Sequence, residues 1–300
     1  DGDNAFINVS TLETALSSSN VTVQTGGSSF QNGDITIQST ISSSSSNDLT
    51  LDASNDIILN ADITRTGSGG LILEPDGNDV SGSGTIRLSA GSSISTSNNA
   101  NVSNNIQLNG SGNIDFSGTG TTTTYSGIIS GSGNLRKIAS GTVNLNGSNT
   151  YTGDTDIQNG TLRVNGSLSD NSEVNVGSSG IYRVQNSHRI ASLTGDGSVI
   201  ILSSRTLSTG SSGNNTFKGI ISGSGGLTKL GSGTFTLNNA NTYSGTTTVS
   251  EGTLTVQGTL SNNSNISVAS GATYTLNNDD TVGSLSGAGN ISVPLSLIHI

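Results

Sequence analysis

This chain of 300 residues contains no Cys, no Met and no Trp, only two Pro, and aromatic residues make up 3% of it. Without Cys it can form neither disulfides nor thiolate metal sites. A compact globule of this length ordinarily builds its core around Met and aromatic side chains, so the core must be made of something else. Basic residues are scarce as well: 10 Lys+Arg stand against 20 Asp+Glu, a formal net charge of −10. No basic stripe can be assembled from so few cations, which excludes nucleic acid and anionic membrane as partners. No apolar run reaches the ~18 residues of a membrane-spanning helix, so membrane insertion by this chain is not expected.

What the chain does have is 42 Gly, abundant Ser, Asn and Thr, and short aliphatic alternations. Pairs of β-formers at i and i+2 predict strands at Val21–Val23, Ile35–Ile37, Leu49–Leu51, Ile57–Leu59, Leu71–Leu73, Ile86–Leu88, Ile106–Leu108 and Ile114–Phe116. Between them lie the residues that favour turns. Helical periodicity is confined to Val9–Leu16, which reads as a turn or two of helix or a local cap. Strands this short suit a solenoid, in which Val, Ile and Leu stack in apolar columns and Gly takes the corners. A narrow interior of this kind is expected to take aliphatic side chains better than rings. At ~20 residues per coil and ~4.8 Å between strands, 300 residues predict a rod roughly 70 Å long. The expected fold is all-β, a parallel β-helix of short strands.

The second half is written twice. Tyr125–Ile201 aligns with Phe217–Val293 without a gap, at a constant offset (217 − 125 = 92). Fixed-period self-similarity marks a repeat architecture. One motif runs through Gly131, Gly133, Leu135, Lys137, Gly141, Thr142 and Leu145. It continues with Asn149–Tyr151, Gly153 and Thr155, then Gly160–Leu162 and Val164. The second copy reads Gly223, Gly225, Leu227, Lys229, Gly231, Gly233, Thr234 and Leu237, then Asn241–Tyr243, Gly245 and Thr247, then Gly252–Leu254 and Val256. Ala139 replaces Gly in the first copy where the second has Gly231.

These residues resemble the autotransporter-associated β-strand repeat. The passages GDITIQSTI and Leu49–Leu73 are similar to the haemagglutinin-type β-helix of large secreted bacterial proteins. The two resemblances imply a right-handed single-stranded parallel β-helix exported by a Gram-negative-type cell, with a cognate outer-membrane β-barrel translocator in a missing C-terminal part. Four segments are expected: 1–124 of haemagglutinin-like coils, 125–216 and 217–293 as repeat units, and an atypical or truncated tail at 294–300, which holds Pro294. The start at Asp1 reads as a piece of something longer.

Candidate chemistry can be weighed by comparing the copies. Asp154, Asp156, Glu173, Arg136, Arg163, Arg183 and His188 become Thr246, Thr248, Asn265, Thr228, Thr255, Thr275 and Asp280. Lys137/Lys229, Tyr151/Tyr243 and Tyr182/Tyr274 are kept. Charges drift while scaffold positions stay, as in a structural repeat. Asp154 and Asp156 are the pair placed for acid–base work or Ca²⁺, and solvated turn carboxylates are the plainer reading. Asp48, Asp52, Asp56 and Asp62 form an acidic string with Arg65 as the basic neighbour, and Glu74, Asp76, Asn78 and Asp79 an oxygen-rich loop without EF-hand order. His188 and His299 lack partners at metal-ligand spacing. The G-S-G runs do not extend to a phosphate-binding loop, and no G-x-S-x-G elbow exists. No catalytic residue, metal or cofactor is expected. Tyr151 and Tyr243 are the candidate ligand-binding side chains: each can stack on a sugar, or pack over a coil edge with its hydroxyl in water.

The expected function is therefore structural: a rigid acidic stalk, cell-surface or extracellular and tethered to the outer membrane, supporting adhesion. Its expected partners are a host-cell or extracellular-matrix surface or glycan. The competing readings are a carbohydrate-active β-helix of lyase or hydrolase type, and a carbohydrate- or ice-binding module.

Overall fold

The computed structural model describes residues 7–25, 33–54, 57–61, 63–65, 71–75, 85–88, 94–95, 106–108, 113–116, 122–125 and 128–293. They belong to two units, 1–153 and 154–300, which part between Gly153 and Asp154, inside the first copy of the repeat.

The first unit is a stack of short parallel strands on three faces. One face carries Val21–Gln24, Leu49–Ala53, Leu71–Pro75, Ile106–Leu108 and Ile129–Gly131 in that order. A second carries Ile35–Ile37, Ile57–Leu59, Thr85–Leu88, Asn113–Phe116 and Asn134–Lys137. The third has Ile41–Ser43, Ile63–Arg65 and Ile94–Ser95. All of these pairings are parallel, with the rest of each coil as the crossover that parallel strands require. Register puts like on like: Leu49 stands opposite both Val21 and Leu71. The period of two then decides burial, since Leu49, Leu51 and Ala53 are fully buried while Thr50 and Asp52 between them are not. Each such aliphatic side chain contributes ~1.5–3 kcal/mol by leaving water.

Val9–Leu16 forms a helix of eight residues over the first coil. The Asn8 side chain accepts the Ser10 N–H at 2.9 Å as N-cap. Leu12 and Leu16 are buried. The Glu13 carboxylate accepts the Ser42 N–H at 2.6 Å, and Ser45 and Asn47 donate to the Leu16 carbonyl at 2.5 and 2.9 Å. Ile41–Ser43 is an edge strand of its sheet, so the helix occupies an edge that would otherwise be open.

The second unit is regular. On one face the register partners are His188, Leu207, Leu227, Thr247, Ile266 and Leu285, 19 or 20 residues apart. This matches the expected coil length. A second column runs Ile157, Val176, Gly195, Phe217, Leu237, Val256 and Leu276. A third runs Leu162, Tyr182, Val199 and Ile221. The strands are nearly all β-formers alternating with Thr, Ser or Asn, and the inward residues are buried.

The two copies of the repeat do not occupy the same faces. Ile157, Val176 and Gly195 of the first lie in the second column. Their counterparts Val249, Val268 and Gly287 lie in a different column, below Ile190, Thr209 and Lys229. An offset of 92 residues is not a whole number of coils of 19 or 20, so the copy begins on another side.

The interior does not exclude rings as expected. All five tyrosines are buried: Tyr125 and Tyr274 are 2% exposed, and Tyr151, Tyr182 and Tyr243 are 0%. Two of the hydroxyls have polar partners inside the coil: Tyr182 meets His188 Nε2 and Tyr243 meets Thr247 Oγ1.

Candidate functional site

The residues that both copies keep are buried polar groups inside the coil. Asn241 follows the turn after Thr234–Leu237, and its Oδ1 accepts the Ile221 N–H at 2.8 Å while its Nδ2 donates to the Asn239 carbonyl at 2.7 Å. Asn149 repeats the pattern, accepting the Ile129 N–H at 3.0 Å and donating to the Gly147 carbonyl at 3.0 Å. In each copy one buried amide thus satisfies backbone groups at a corner where no strand can. Two residues on, the Tyr243 hydroxyl reaches Thr247 Oγ1 at 2.7 Å, which lies 3.2 Å from Ser264 Oγ. The equivalent Thr155 and Ser172 hydroxyls are 2.8 Å apart.

Lys229 is 1% exposed, and its Nζ donates to the carbonyls of Leu230 and Gly231 at 2.7 Å each and of Glu251 at 3.1 Å. Lys137, also 1% exposed, donates to the Ala139 carbonyl, the counterpart of Gly231. A buried ammonium needs such acceptors. Burial still pushes Lys137 down to about 8, and lowers Lys229 against the opposing pull of Glu251. Burial raises the Tyr243 phenol, with the Thr247 hydrogen bond opposing it.

The tyrosines are therefore not where a sugar would meet them. Tyr151 and Tyr243 have no exposed ring surface in this structure, and the Tyr243 hydroxyl faces Thr247 rather than water. Asp154 is exposed. Asp156 is half-buried on the outside of its strand, where its carboxylate accepts from Gln158 at 2.7 Å and Asn175 at 2.9 Å. Asp48 and Asp52 are described, whereas Asp56, Asp62, Asp76, Asn78, Asp79 and His299 lie outside the described residues, as does the tail 294–300. Among the described residues no group of three or more His, Asp or Glu is placed to hold a metal ion, and no helix is long and apolar enough to cross a membrane. Sequence comparison singled out Lys137 and Lys229 as kept, but gave no sign that they are buried.

The described strands thus form a parallel β-solenoid in which a buried set of Asn, Tyr, Thr and Lys is written twice. The passenger-associated-transport-repeat model matches at 135–164 and again at 227–256, enclosing both lysines and both tyrosines. The chain is also similar to the adhesin BmaC autotransporter of Brucella suis biovar 1 (strain 1330). The two are 34% identical over 147 residues, which is 46% of this chain and 4% of that protein's length. No solved structure matches the chain.

Proposed function

We propose that this chain is a structural segment of the passenger of an autotransporter-type surface protein, and that it serves adhesion. The observation that carries this reading is what the two copies keep. Retained side chains are the buried ones that bond backbone at corners, whereas exposed charges such as Asp154 and Glu173 become Thr246 and Asn265. A polypeptide under that pattern is held to a shape rather than to a reaction. The relative named as an adhesin supports the adhesive part of the reading. A carbohydrate-active site is disfavoured, because Asp156 is engaged with two amides and its partner position Asp154 becomes Thr in the second copy.

In this reading the segment lies outside the cell, tethered through a β-barrel translocator elsewhere in the full-length protein, and touches a host-cell or matrix surface. The test is surface labelling with antibody to this segment on intact cells of the producing bacterium, paired with attachment of protein-coated beads to epithelial cells. Labelling that vanishes on protease shaving, together with bead attachment above a blocked control, is the expected result. A segment reached by antibody only after cell lysis overturns the passenger assignment, and inert beads overturn the adhesive one.

A further inference from the structure

A groove of about 710 Å³ lies along one corner of the second unit, lined from the first copy of the repeat, from the segment between the copies and, at Ser224, from the second copy. Asn165, Gln185, Leu202 and Ser224 in its lining directly follow Val164, Val184, Ile201 and Gly223. Those four are register partners on successive strands. The lining therefore rises coil by coil, and four strands at ~4.8 Å separation span roughly 14 Å.

Two features shape its walls. Ser204, at φ 59, is the single non-glycine residue with positive φ among the described residues, and it sits between Ser203 and Arg205, both in the lining. Holding Ser there costs energy that an ordinary turn avoids. In the lining, the Asn186 carbonyl lies 2.9 Å from His188 Nδ1, and His188 Nε2 contacts the buried Tyr182 hydroxyl. One neutral tautomer satisfies both contacts: Nδ1–H donates to the carbonyl, and Nε2 accepts the phenol proton.

The second copy uses the same positions differently. His188 becomes Asp280, whose carboxylate accepts the Leu260 N–H at 2.8 Å. Asn186 becomes Asn278, whose amide donates to the Gln257 carbonyl. Asn186 is thus groove wall, while its counterpart Asn278 braces the Gln257 carbonyl.

The lining offers carboxamides, hydroxyls and one guanidinium, with no carboxylate, in a chain of 20 Asp+Glu. Exposed Arg205 is its one charged side chain. We propose that this groove binds a saccharide chain bearing a carboxylate. Amides and serine hydroxyls pair with sugar hydroxyls, and Arg205 takes the carboxylate in a two-pronged contact. The net charge of −10 does not forbid this, since exposed charges beyond ~8 Å are largely screened at physiological salt. The inference deepens the adhesive reading above and rests on it.

The test is calorimetric titration of the whole chain with an octasaccharide of alternating glucuronate and N-acetylglucosamine, and with its carboxyl-reduced form. Arg205→Gln is the variant, Lys218→Gln the control at another exposed cation, and unchanged melting confirms both folds. Arg205→Gln is expected to weaken binding of the acidic form about tenfold, the loss of one charge-assisted pair, and Lys218→Gln to leave it unchanged. No binding of the acidic form, equal binding of the reduced form, or indifference to Arg205→Gln overturns the proposal. Bead attachment separates the two readings. Attachment that survives Arg205→Gln keeps adhesion and removes the groove from it, while Arg205-dependent binding on beads that do not attach keeps the groove and removes adhesion.

Discussion

The Tyr243 hydroxyl lies 2.7 Å from Thr247 Oγ1, four residues on and across a corner, and both side chains are fully buried. Ser264 Oγ extends the chain and ends it on the Gly245 carbonyl at 2.9 Å. A row of hydroxyls thus closes on a backbone carbonyl inside the coil.

Tyr243→Phe keeps the ring and removes one end of that row, for an expected loss of about 1 kcal/mol. Tyr243→Ala empties the space of a buried ring and is expected to cost about 3–5 kcal/mol. Urea denaturation of the two variants checks the order. Equal and negligible losses would mean that the ring is not buried in solution.

Asn241→Ala leaves the buried Ile221 N–H without its 2.8 Å acceptor. The expected cost is about 1–3 kcal/mol, the penalty for an orphaned buried donor. Asn149→Ala removes the same contact to Ile129 and should act alike. Hydrogen exchange at Ile129 and Ile221 gives the local readout: each variant should expose its own amide and not the other.

Alkaline pH should stabilise the fold through lysine and then destabilise it through tyrosine. Lys137 is held at about 8 against 10.5 for free lysine. Between those values the unfolded chain keeps a proton that the folded chain has released, so stability rises with pH; below about 8 the cost of the buried charge is constant. Lys229 shifts in the same direction. Burial raises Tyr243 and Tyr274 above the usual 10.0, so above that pH the unfolded chain loses protons first and stability falls. Urea midpoints at intervals from pH 7.5 to 11 should pass through a maximum, and Lys137→Met should flatten the rising limb.

His188 gives an acid limb. Burial holds its pKa below 6.5, with the Asn186 carbonyl and Asp170 opposing. As pH falls below 6.5 the unfolded chain takes up a proton that the folded chain refuses, so stability is lost down to the folded pKa. His188→Gln should remove that slope, and a slope unchanged by the substitution would assign it to other groups.

Gly223→Ala should be among the most damaging changes of a single methyl. Gly223 has φ 100, and a Cβ there would lie 2.1 Å from the Ile201 carbonyl oxygen. Gly131, its counterpart, has φ 101. A loss above about 1 kcal/mol in thermal melting is expected, more than the entropy a Gly→Ala change can return.

All eight strands read from i, i+2 pairs in the first half are present, some longer by a residue or two. Those that escaped are Ile41–Ser43, Ile63–Arg65, Ile94–Ser95 and Thr122–Tyr125. The first three carry a single aliphatic residue each, and TTTY carries none, so the period-two signal has nothing to act on. They are strands because neighbouring coils hold them in register. Tyr243 was legible as retained but not as interior, since a phenol suits water and a buried hydroxyl equally well. Lys229 was read as kept without a reason, because the three carbonyls that hold it come from residues on two coils. The groove was least legible of all: it exists only where corners from four coils line up.

The change of face between the copies has an outcome for display. Val176 and Val268 occupy equivalent places in the repeat and are both buried, yet they lie in different columns of the same coil stack. Whatever a further copy carried at its exposed corners would be turned again by the same part of a circle. Duplication in this chain therefore sets equivalent surface features on different sides of the axis instead of ranking them in one row.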